Sequence, residues 1–306
     1  MAISPPVSVF MPAYNVERYV ADAVNSILAQ TFSDFELIVV DDGSSDRTLE
    51  VLTGLSRQDP RIRLLSRPNT GVSRASNDAI ALARGEFLVR MDSDDLSTPD
   101  RLAKQIEFLR ANPSCVCVGA RVLLMDQVGM PLFVMPEVEF GHEKIDSALM
   151  AGGWPIVQGA CMFRREAVVA VGNYREDLSL HEDMDLLVRL AEHGRLENLP
   201  DVLLKYRRHF RSITFREGEG SEKIVSGILA EARRRRGLPE PTNPIPRASI
   251  RLGPRAEVLK RCRHWAWMSL KARHVATARK YAWAGFRRAP LSGMSWRLMY
   301  CALRGR

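Results

Sequence analysis

Three short stretches of this chain gather carboxylates. Asp41 and Asp42 stand side by side before Gly43-Ser44-Ser45-Asp46. Asp92-Ser93-Asp94-Asp95 sets two carboxylates two residues apart with a third beside them. His181-Glu182-Asp183-Met184-Asp185 is the last. Each has a bland reading and a chemical one. Asp and Ser are favoured in capping turns whatever they do there, and acids at a helix N-terminus are favoured by the helix dipole. Two acid clusters on one sheet edge, however, repel each other unless a cation or donor groups offset their charge. Alternate residues of an extended segment point opposite ways, but a turn can bring Asp92 and Asp94 onto one ion. Such oxygen ligands suit Mg²⁺ or Mn²⁺, which commonly keep water and substrate phosphates in their other positions. A positioned acid in the third stretch would serve as general base.

Other chemistries find no support. The five cysteines (115, 117, 161, 262 and 301) are an odd number with no CxxC pair, and no Cys/His arrangement has zinc spacing. Free thiols in a reducing compartment are expected. Neither GxGxxG nor GxxxxGKS/T occurs. That disfavours a dehydrogenase and a P-loop NTPase, and leaves the phosphate charge of any bound nucleotide to a metal.

The elements that must hold these acids follow from periodicity. Val7–Met11, Glu36–Val40, Ile62–Leu65 and Phe87–Met91 are short apolar runs that read as strands. Between them Val16, Tyr19, Val20, Ala23, Val24, Ile27 and Leu28 recur at helical spacing, with Asn15 as N-cap. Helices are also predicted over 47–57, 73–83 and 100–110, the last opened by Pro99. A further helix starts at Glu182, with Met184, Leu187, Val188 and Ala191 facing inward. Strands alternating with helices imply an α/β, Rossmann-like, mostly parallel sheet covered on both faces. Ligands of such sheets bind outside the carboxyl ends of the strands, where Asp41/Asp42 and Asp92/Asp94/Asp95 fall.

At 306 residues, 46% apolar and 26% charged, the chain is an ordinary globular protein of one large domain or two modest ones. Its longest uncharged run, Ser147–Phe163, is short of the ~20 residues that span a bilayer. The start, Met-Ala-Ile-Ser-Pro-Pro, shows no secretory signal. Charge divides the chain. Arg233–Arg306 carries 19 Lys/Arg against 2 Asp/Glu, and the part before it is acidic. The prolines at 239, 241, 244 and 246 read as a linker. Beyond them Trp265, Trp267, Tyr281, Trp283, Phe286 and Trp296 lie among the basic residues. That mixture suits an anionic membrane surface, single-stranded nucleic acid, or a helical pair with a solvated basic face. The membrane surface is the favoured reading, since Trp265–Leu270 and Trp296–Leu303 have the look of interfacial helices.

Taken together, the motifs resemble the family 2 glycosyltransferases. Val7-Ser-Val-Phe-Met-Pro-Ala-Tyr-Asn15 is similar to the family's first strand and turn. Ser26–Phe32 with Phe35–Ser44, then Asn69–Asn77, Gly85–Asp95, Glu182-Asp183 and Tyr206-Arg-Arg-His209 follow in order. The resemblance spans about residues 6–215 and implies a GT-A fold and an inverting, metal-dependent sugar transfer. By that resemblance Asp42 accepts from the nucleotide base, and Pro12, Ala13 and Tyr14 wall the base and ribose, with Asn15, Glu17 and Ser93 counted in the same site. Arg74 contacts the diphosphate or base. Asp92 and Asp94 form the Asp-x-Asp pair on the ribose and the Mn²⁺ or Mg²⁺, with Asp95 as a neighbour and His209 completing the metal site. By the same resemblance Asp183 is the base, and Glu182 supports it or touches the acceptor. Trp154, Gln158 and Gly159 lie where the family faces its acceptor, but Gln158-Gly159 departs from the usual His or Asn there.

The resemblance implies a nucleoside-diphosphate sugar donor and a glycan or lipid-linked acceptor of envelope or exopolysaccharide synthesis. The expected location is cytoplasmic or peripheral on the inner face of the plasma membrane, with no nucleic-acid partner. The expected parts are a catalytic domain over 1–215, a helix over 216–237 packing on it, a linker over 238–246 and a basic helical extension over 247–306. Two related readings fit less well. A haloacid-dehalogenase phosphatase needs a second Asp where Gly43 or Ser44 stands, and a nucleotidyltransferase needs a Gly-rich basic loop where Met11-Pro-Ala-Tyr-Asn15 stands. A protein acting through its basic tail on an anionic surface is the alternative of a different class.

Overall fold

The computed structural model describes residues 4–305 except 137, 179, 209–220 and 240–253. Two compact units divide the chain. The first takes residues 1–122, 137–205 and 217–245, and the second takes 123–136, 206–216 and 246–306.

The first unit begins with a four-strand parallel block. It is built from β1 (Val7–Ala13), β2 (Phe35–Asp41), β3 (Ile62–Ser66) and β4 (Phe87–Arg90). β1 pairs in parallel with β2 and β4, and β2 with β3. Every residue of β1, β2 and β4 is buried, as expected for strands covered on both faces. Phe10, Ile38, Val40 and Leu88 share one core cluster. Their strand neighbours Val9, Leu37, Val39 and Val89 must point to the other face and are equally buried. Connections run through α1 (Val20–Leu28), α2 (Thr48–Gln58) and α3 (Val72–Leu82).

Beyond β4 the pairing changes sense. A two-residue strand, β5 (Leu96–Ser97), and α4 (Arg101–Ala111) precede β6 (Cys115–Asp126) and the hairpin strand β7 (Pro131–Val134). After α5 (His142–Met150) comes β8 (Met162–Arg164), antiparallel to both β4 and β6. α6 (Arg165–Ala170) and α7 (Glu182–His193) lead to β9 (Arg195–Arg208). The order across the sheet is β3-β2-β1-β4-β8-β6-β9-β5, with β7 on β6. Thus the parallel order expected from the alternating pattern holds for the front block only. Helices still precede most of the later strands, but those strands pair antiparallel with their neighbours, so the connections are not parallel crossovers. α8 (Ser221–Arg235) sets Val225, Leu229 and Ala232 into the same core cluster as α7's Met184, Leu187 and Val188. The arginine run at its end is engaged: Arg235 pairs with Glu192, and Arg236 with Asp146 and Glu192.

The second unit packs the 123–136 hairpin with α9 (Pro254–Lys271), α10 (Val275–Arg288) and α11 (Gly293–Arg304). Its core holds Leu124, Leu132, Phe133, Trp265, Tyr281 and Leu298. Asp126, fully buried, accepts hydrogen bonds from Lys280, from the Tyr281 hydroxyl at 2.9 Å, and from Met130 N at 2.9 Å. A buried carboxylate is tolerated only when paired in this way. Among the described residues no helix is long and apolar enough to cross a membrane. The linker expected over 238–246 lies mostly outside the described residues.

Asn15 does not cap α1. It sits at φ 53° and its side-chain oxygen accepts from Ser45 N at 2.8 Å, binding the β1–α1 loop to the β2–α2 loop. The helix therefore begins later, at Val20. Gly43, at φ +72°, turns the chain after β2, and a Cβ there would lie 2.6 Å from Asn69 N. Gly43→Ala is therefore expected to cost about 2 kcal/mol or more, read as a lower Tm. An unchanged Tm would show that the 67–70 segment yields freely.

Candidate active site

The acids that the sequence singles out collect at the carboxyl ends of β2 and β4 and at the start of α7. Asp42 and Asp92 each sit beside a guanidinium. Asp42 is buried, and its carboxylate accepts from Thr70 N at 3.0 Å, Gly71 N at 2.9 Å and Arg67 at 2.8 Å. Those amides open α3, so Asp42 meets the positive end of that helix. Arg67 also pairs with Asp78. Asp41 points into the interior and accepts from Ser66 Oγ at 3.0 Å.

Asp92 follows β4 and is held by Arg90, whose Nε lies 2.8 Å from Asp92 Oδ1. Arg90 is buried, donates to Ser76 Oγ at 2.7 Å and lies 5.6 Å from the centre of the Phe10 ring. Burial works against its charge, but the charge of Asp92 holds it above its ordinary pKa. A second arginine, Arg101, is completely buried beneath the Asp92–Asp95 turn. It donates to Arg90 O at 2.9 Å, Cys161 O at 3.3 Å and Ser97 Oγ at 3.1 Å. Burial pulls its pKa down to about 10, against the charges of Cys161, Asp92 and Asp95, so it stays cationic at neutral pH. The turn closes through Asp95 N to Asp92 O at 3.2 Å. Gly159 faces it: a Cβ there would lie 2.8 Å from Asp92 Oδ2 and 3.5 Å from Asp95 Oδ2. Only a glycine leaves that space open.

Glu182 and Asp183 form the first turn of α7, behind His181 in the left-handed conformation at φ 63°. Asp183 Oδ1 accepts from Met184 N at 2.7 Å. Burial raises the Asp183 pKa. Burial and then the charge of Asp183 push Glu182 up to about 7, with Asp92 adding to the rise and Arg90 opposing it. The two acid stretches, far apart in sequence, thus feel each other's charge through Arg90 and Asp92. Asp185, by contrast, is buried against Arg189 and Arg175 and braces the helix.

The remaining expected residues divide. Pro12 and Ala13 are buried at the end of β1, and Tyr14 beyond them is exposed. Asn15 and Glu17 serve the neighbouring loop, Glu17 accepting from Arg47 N at 3.0 Å. Ser93 is buried within the acidic turn. Arg74 is exposed on α3, 3.8 Å from Glu176. Gln158 donates to the hydroxyl of buried Tyr174 at 2.9 Å. Trp154, half-exposed, packs on the His181 ring at 5.4 Å between centroids. His209 lies outside the described residues. Sequence reading missed Arg67, Arg90, Arg101 and Tyr174. Arg90 had a signal: a lone cation inside the apolar run Phe87-Leu-Val-Arg-Met91. Arg101 had one too, on the inward face of α4 with Leu102, Gln105, Ile106 and Leu109.

Comparison with known proteins agrees with this architecture. Residues 8–172 match the family described as Glycosyl transferase family 2. The Bacillus subtilis (strain 168) protein EpsE, which carries a glycosyltransferase designation, is 34% identical over 246 residues, covering 78% of this chain and 86% of that one. A chondroitin synthase of Pasteurella multocida (strain Pm70) is 32% identical over 201 residues, 65% of this chain but only 20% of the synthase. Among solved structures, S. aureus TarS 1–349 in complex with UDP-GlcNAc aligns with a TM-score of 0.58 at 19% identity, covering 98% of this chain and 92% of that one. The mannosyltransferase PcManGT of Pyrobaculum calidifontis, in complex with GDP-Man and Mn²⁺, aligns at 0.52 and 19% identity, over 99% of this chain and 74% of that one. The fold is GT-A, and the protein is an enzyme of the glycosyltransferase class. The chain belongs to glycosyltransferase family 2.

The raised Glu182 has a sign that can be tested. Its folded pKa, about 7, exceeds the ordinary 4.5, so the folded state holds the proton longer. Its contribution to stability is fully present below pH 4.5 and is lost as pH climbs to about 7. Glu182→Gln removes that loss. The variant's stability advantage over the native chain, read from Tm at each pH, is expected to grow between those pH values by roughly 1–3 kcal/mol. A pH-independent difference would show that Glu182 is not perturbed.

Proposed function

We propose that this enzyme transfers a sugar from a nucleoside-diphosphate sugar, with inversion, to a hydroxyl of a glycan or lipid-linked acceptor. The observation that carries this is the Asp92 carboxylate, held by buried Arg90 and facing Gly159, within electrostatic reach of Glu182 and Asp183 at the start of α7. Similarity to a chondroitin synthase supports a role in polysaccharide synthesis, and on this reading the enzyme works beside the inner face of the plasma membrane.

In this reading the nucleotide lies along the carboxyl ends of β1, β2 and β4. Pro12, Ala13 and Tyr14 wall the base, Asp42 accepts from it, Ser93 borders the ribose and Arg74 reaches the diphosphate. Asp94 and Asp92 would hold the divalent cation. Asp92 Oδ2 already faces Gly159 from this turn, with Asp95 Oδ2 beside it as a further oxygen donor. Hard oxygen donors of this kind fit Mg²⁺ or Mn²⁺, with diphosphate and water completing the shell. When bound, the ion would stabilise the charge that develops on the leaving diphosphate. Among the described residues no three His, Cys, Asp or Glu side chains form a metal group.

Asp183 takes the proton from the acceptor hydroxyl. The acceptor oxygen bonds to the anomeric carbon from the face opposite the diphosphate. The anomeric C–O bond breaks, and its electron pair leaves with the nucleoside diphosphate. Burial suits Asp183 to this task, because a raised pKa brings a carboxylate nearer the operating pH. Glu182 supports it and keeps the acceptor side polar. Trp154 offers an exposed ring for an acceptor sugar.

Asp183→Asn is therefore expected to lower turnover about 10²–10⁴-fold while nucleotide binding persists. Product formation from labelled donor and binding by calorimetry read the two separately. Full turnover in that variant would remove Asp183 from the role of base.

A further inference from the structure

The aromatic residues of the second unit fall into two sets that the sequence does not separate. Trp265 and Tyr281 are core, in edge-to-face contact at 4.9 Å, and Ala266 and Leu270 are buried with them. The stretch Trp265–Leu270 is therefore largely internal rather than interfacial, with only Trp267 turned outward under Lys271. The second set faces out. Trp283 is 53% exposed, Trp296 59% and Leu291 99%, and Met294, Tyr300 and Leu303 join them. On α11, Trp296, Tyr300 and Leu303 stand at i, i+4 and i+7, one stripe of the helix. The opposite stripe, Ser295, Leu298 and Ala302, is buried. Trp283 stacks on Phe286 at 5.7 Å, and Phe286 meets Trp296 edge-on at 4.7 Å. The rings thus form one patch across the α10–α11 connection, with Leu291 at its tip.

The rim of this patch is cationic. On α10 Arg279 and Arg287 lie one turn before and after Trp283, Arg297 follows Trp296, and Arg304 covers the Tyr300 ring at 4.5 Å. From Pro254 to Gly305 the sequence has 12 Lys/Arg and a single acid, Glu257, which pairs with Arg261. An apolar surface ringed by arginines opposes water in its centre and attracts anions at its edge.

We propose that the α10–α11 edge is a docking surface for an anionic phospholipid bilayer, with Leu291, Met294 and Trp296 entering the headgroup–acyl boundary and the arginines meeting lipid phosphates. Two features favour a bilayer over single-stranded nucleic acid. The aliphatic tips, Leu291, Met294 and Leu303, give a base nothing to stack on. The rings of Trp283, Phe286 and Trp296 are packed against one another instead of standing apart as base platforms. A second copy of the chain would bring a matching arginine rim against the first, at a cost in repulsion. The assignment deepens the reading of an enzyme working beside a membrane and rests on it for its purpose. None of these residues belongs to the unit that carries the acids.

The test is co-sedimentation of the full chain with vesicles of phosphatidylcholine alone and of phosphatidylcholine with phosphatidylglycerol. Binding is expected only with the anionic lipid and weakens as salt rises. Leu291→Asp and Trp296→Ser should each lower partitioning about tenfold or more. Arg287→Gln and Arg297→Gln should each lower it about fivefold. All four side chains are exposed, and Tm with the nucleotide response of each variant checks that the fold and the transferase site are intact. Unchanged partitioning in Leu291→Asp and Trp296→Ser overturns the proposal. So does tighter binding of single-stranded RNA that displaces the vesicles, or a monomer–dimer shift on mutation without any effect on vesicles. A failed vesicle experiment with an intact nucleotide response removes the docking surface and leaves the transferase reading standing.

Discussion

Crowded carboxylates at one sheet edge repel one another, and the way this chain contains that repulsion organises everything around its site. The device is a pair of buried guanidinium groups. Arg90 grips Asp92 from the strand below, and Arg101 binds the carbonyls of Arg90 and Cys161 from beneath the turn. Burying an arginine is costly unless its donors are matched. Here carbonyl, hydroxyl and carboxylate oxygens match them. Burial, and after it the remaining repulsion from Asp183 and Asp92, raises the pKa of Glu182. A divalent cation would relieve that repulsion and could then hold the diphosphate of a ligand. The same arrangement would serve the proposed catalysis, because a base held partly desolvated is readier for a proton.

The strand–helix alternation of the front block was legible because its strands are buried on both faces and so read as unbroken apolar runs. Phe10, Ile38 and Val40 serve one face, and Val9, Leu37 and Val39 the other. The antiparallel half was not legible. β8 is three residues long, β5 two, and neither carries a periodic signal. The acids were legible as types and spacings, but their partners were not. Arg67, Arg90 and Arg101 reach them from other elements, over 25 residues in the case of Arg67 and Asp42. Only the tertiary fold makes such neighbours. Asn15 shows the converse. Its place before a helical pattern suggests a cap, but a left-handed backbone turns its side chain to the next loop.

The two units divide the physical tasks. The first concentrates negative charge and satisfies it internally, down to the arginine run Arg235-Arg236 that ends α8 on Glu192 and Asp146. The second carries an excess of positive charge that its few acids do not match, and it exposes a run of aromatic and aliphatic side chains on α10 and α11. Asp126 marks the boundary of these styles. It is the one acid drawn into the core of the second unit, and Lys280 and Tyr281 hold it there.

The central claim is that the acidic edge binds a metal–diphosphate complex. It is tested most directly by melting the native chain with UDP, GDP and dTDP, each with and without Mn²⁺. A ligand that binds only the folded state raises Tm by mass action. The account predicts a rise of several degrees with one of these nucleotides and Mn²⁺ together, and little with either alone. No rise with any pair, or an equal rise without the metal, would contradict it.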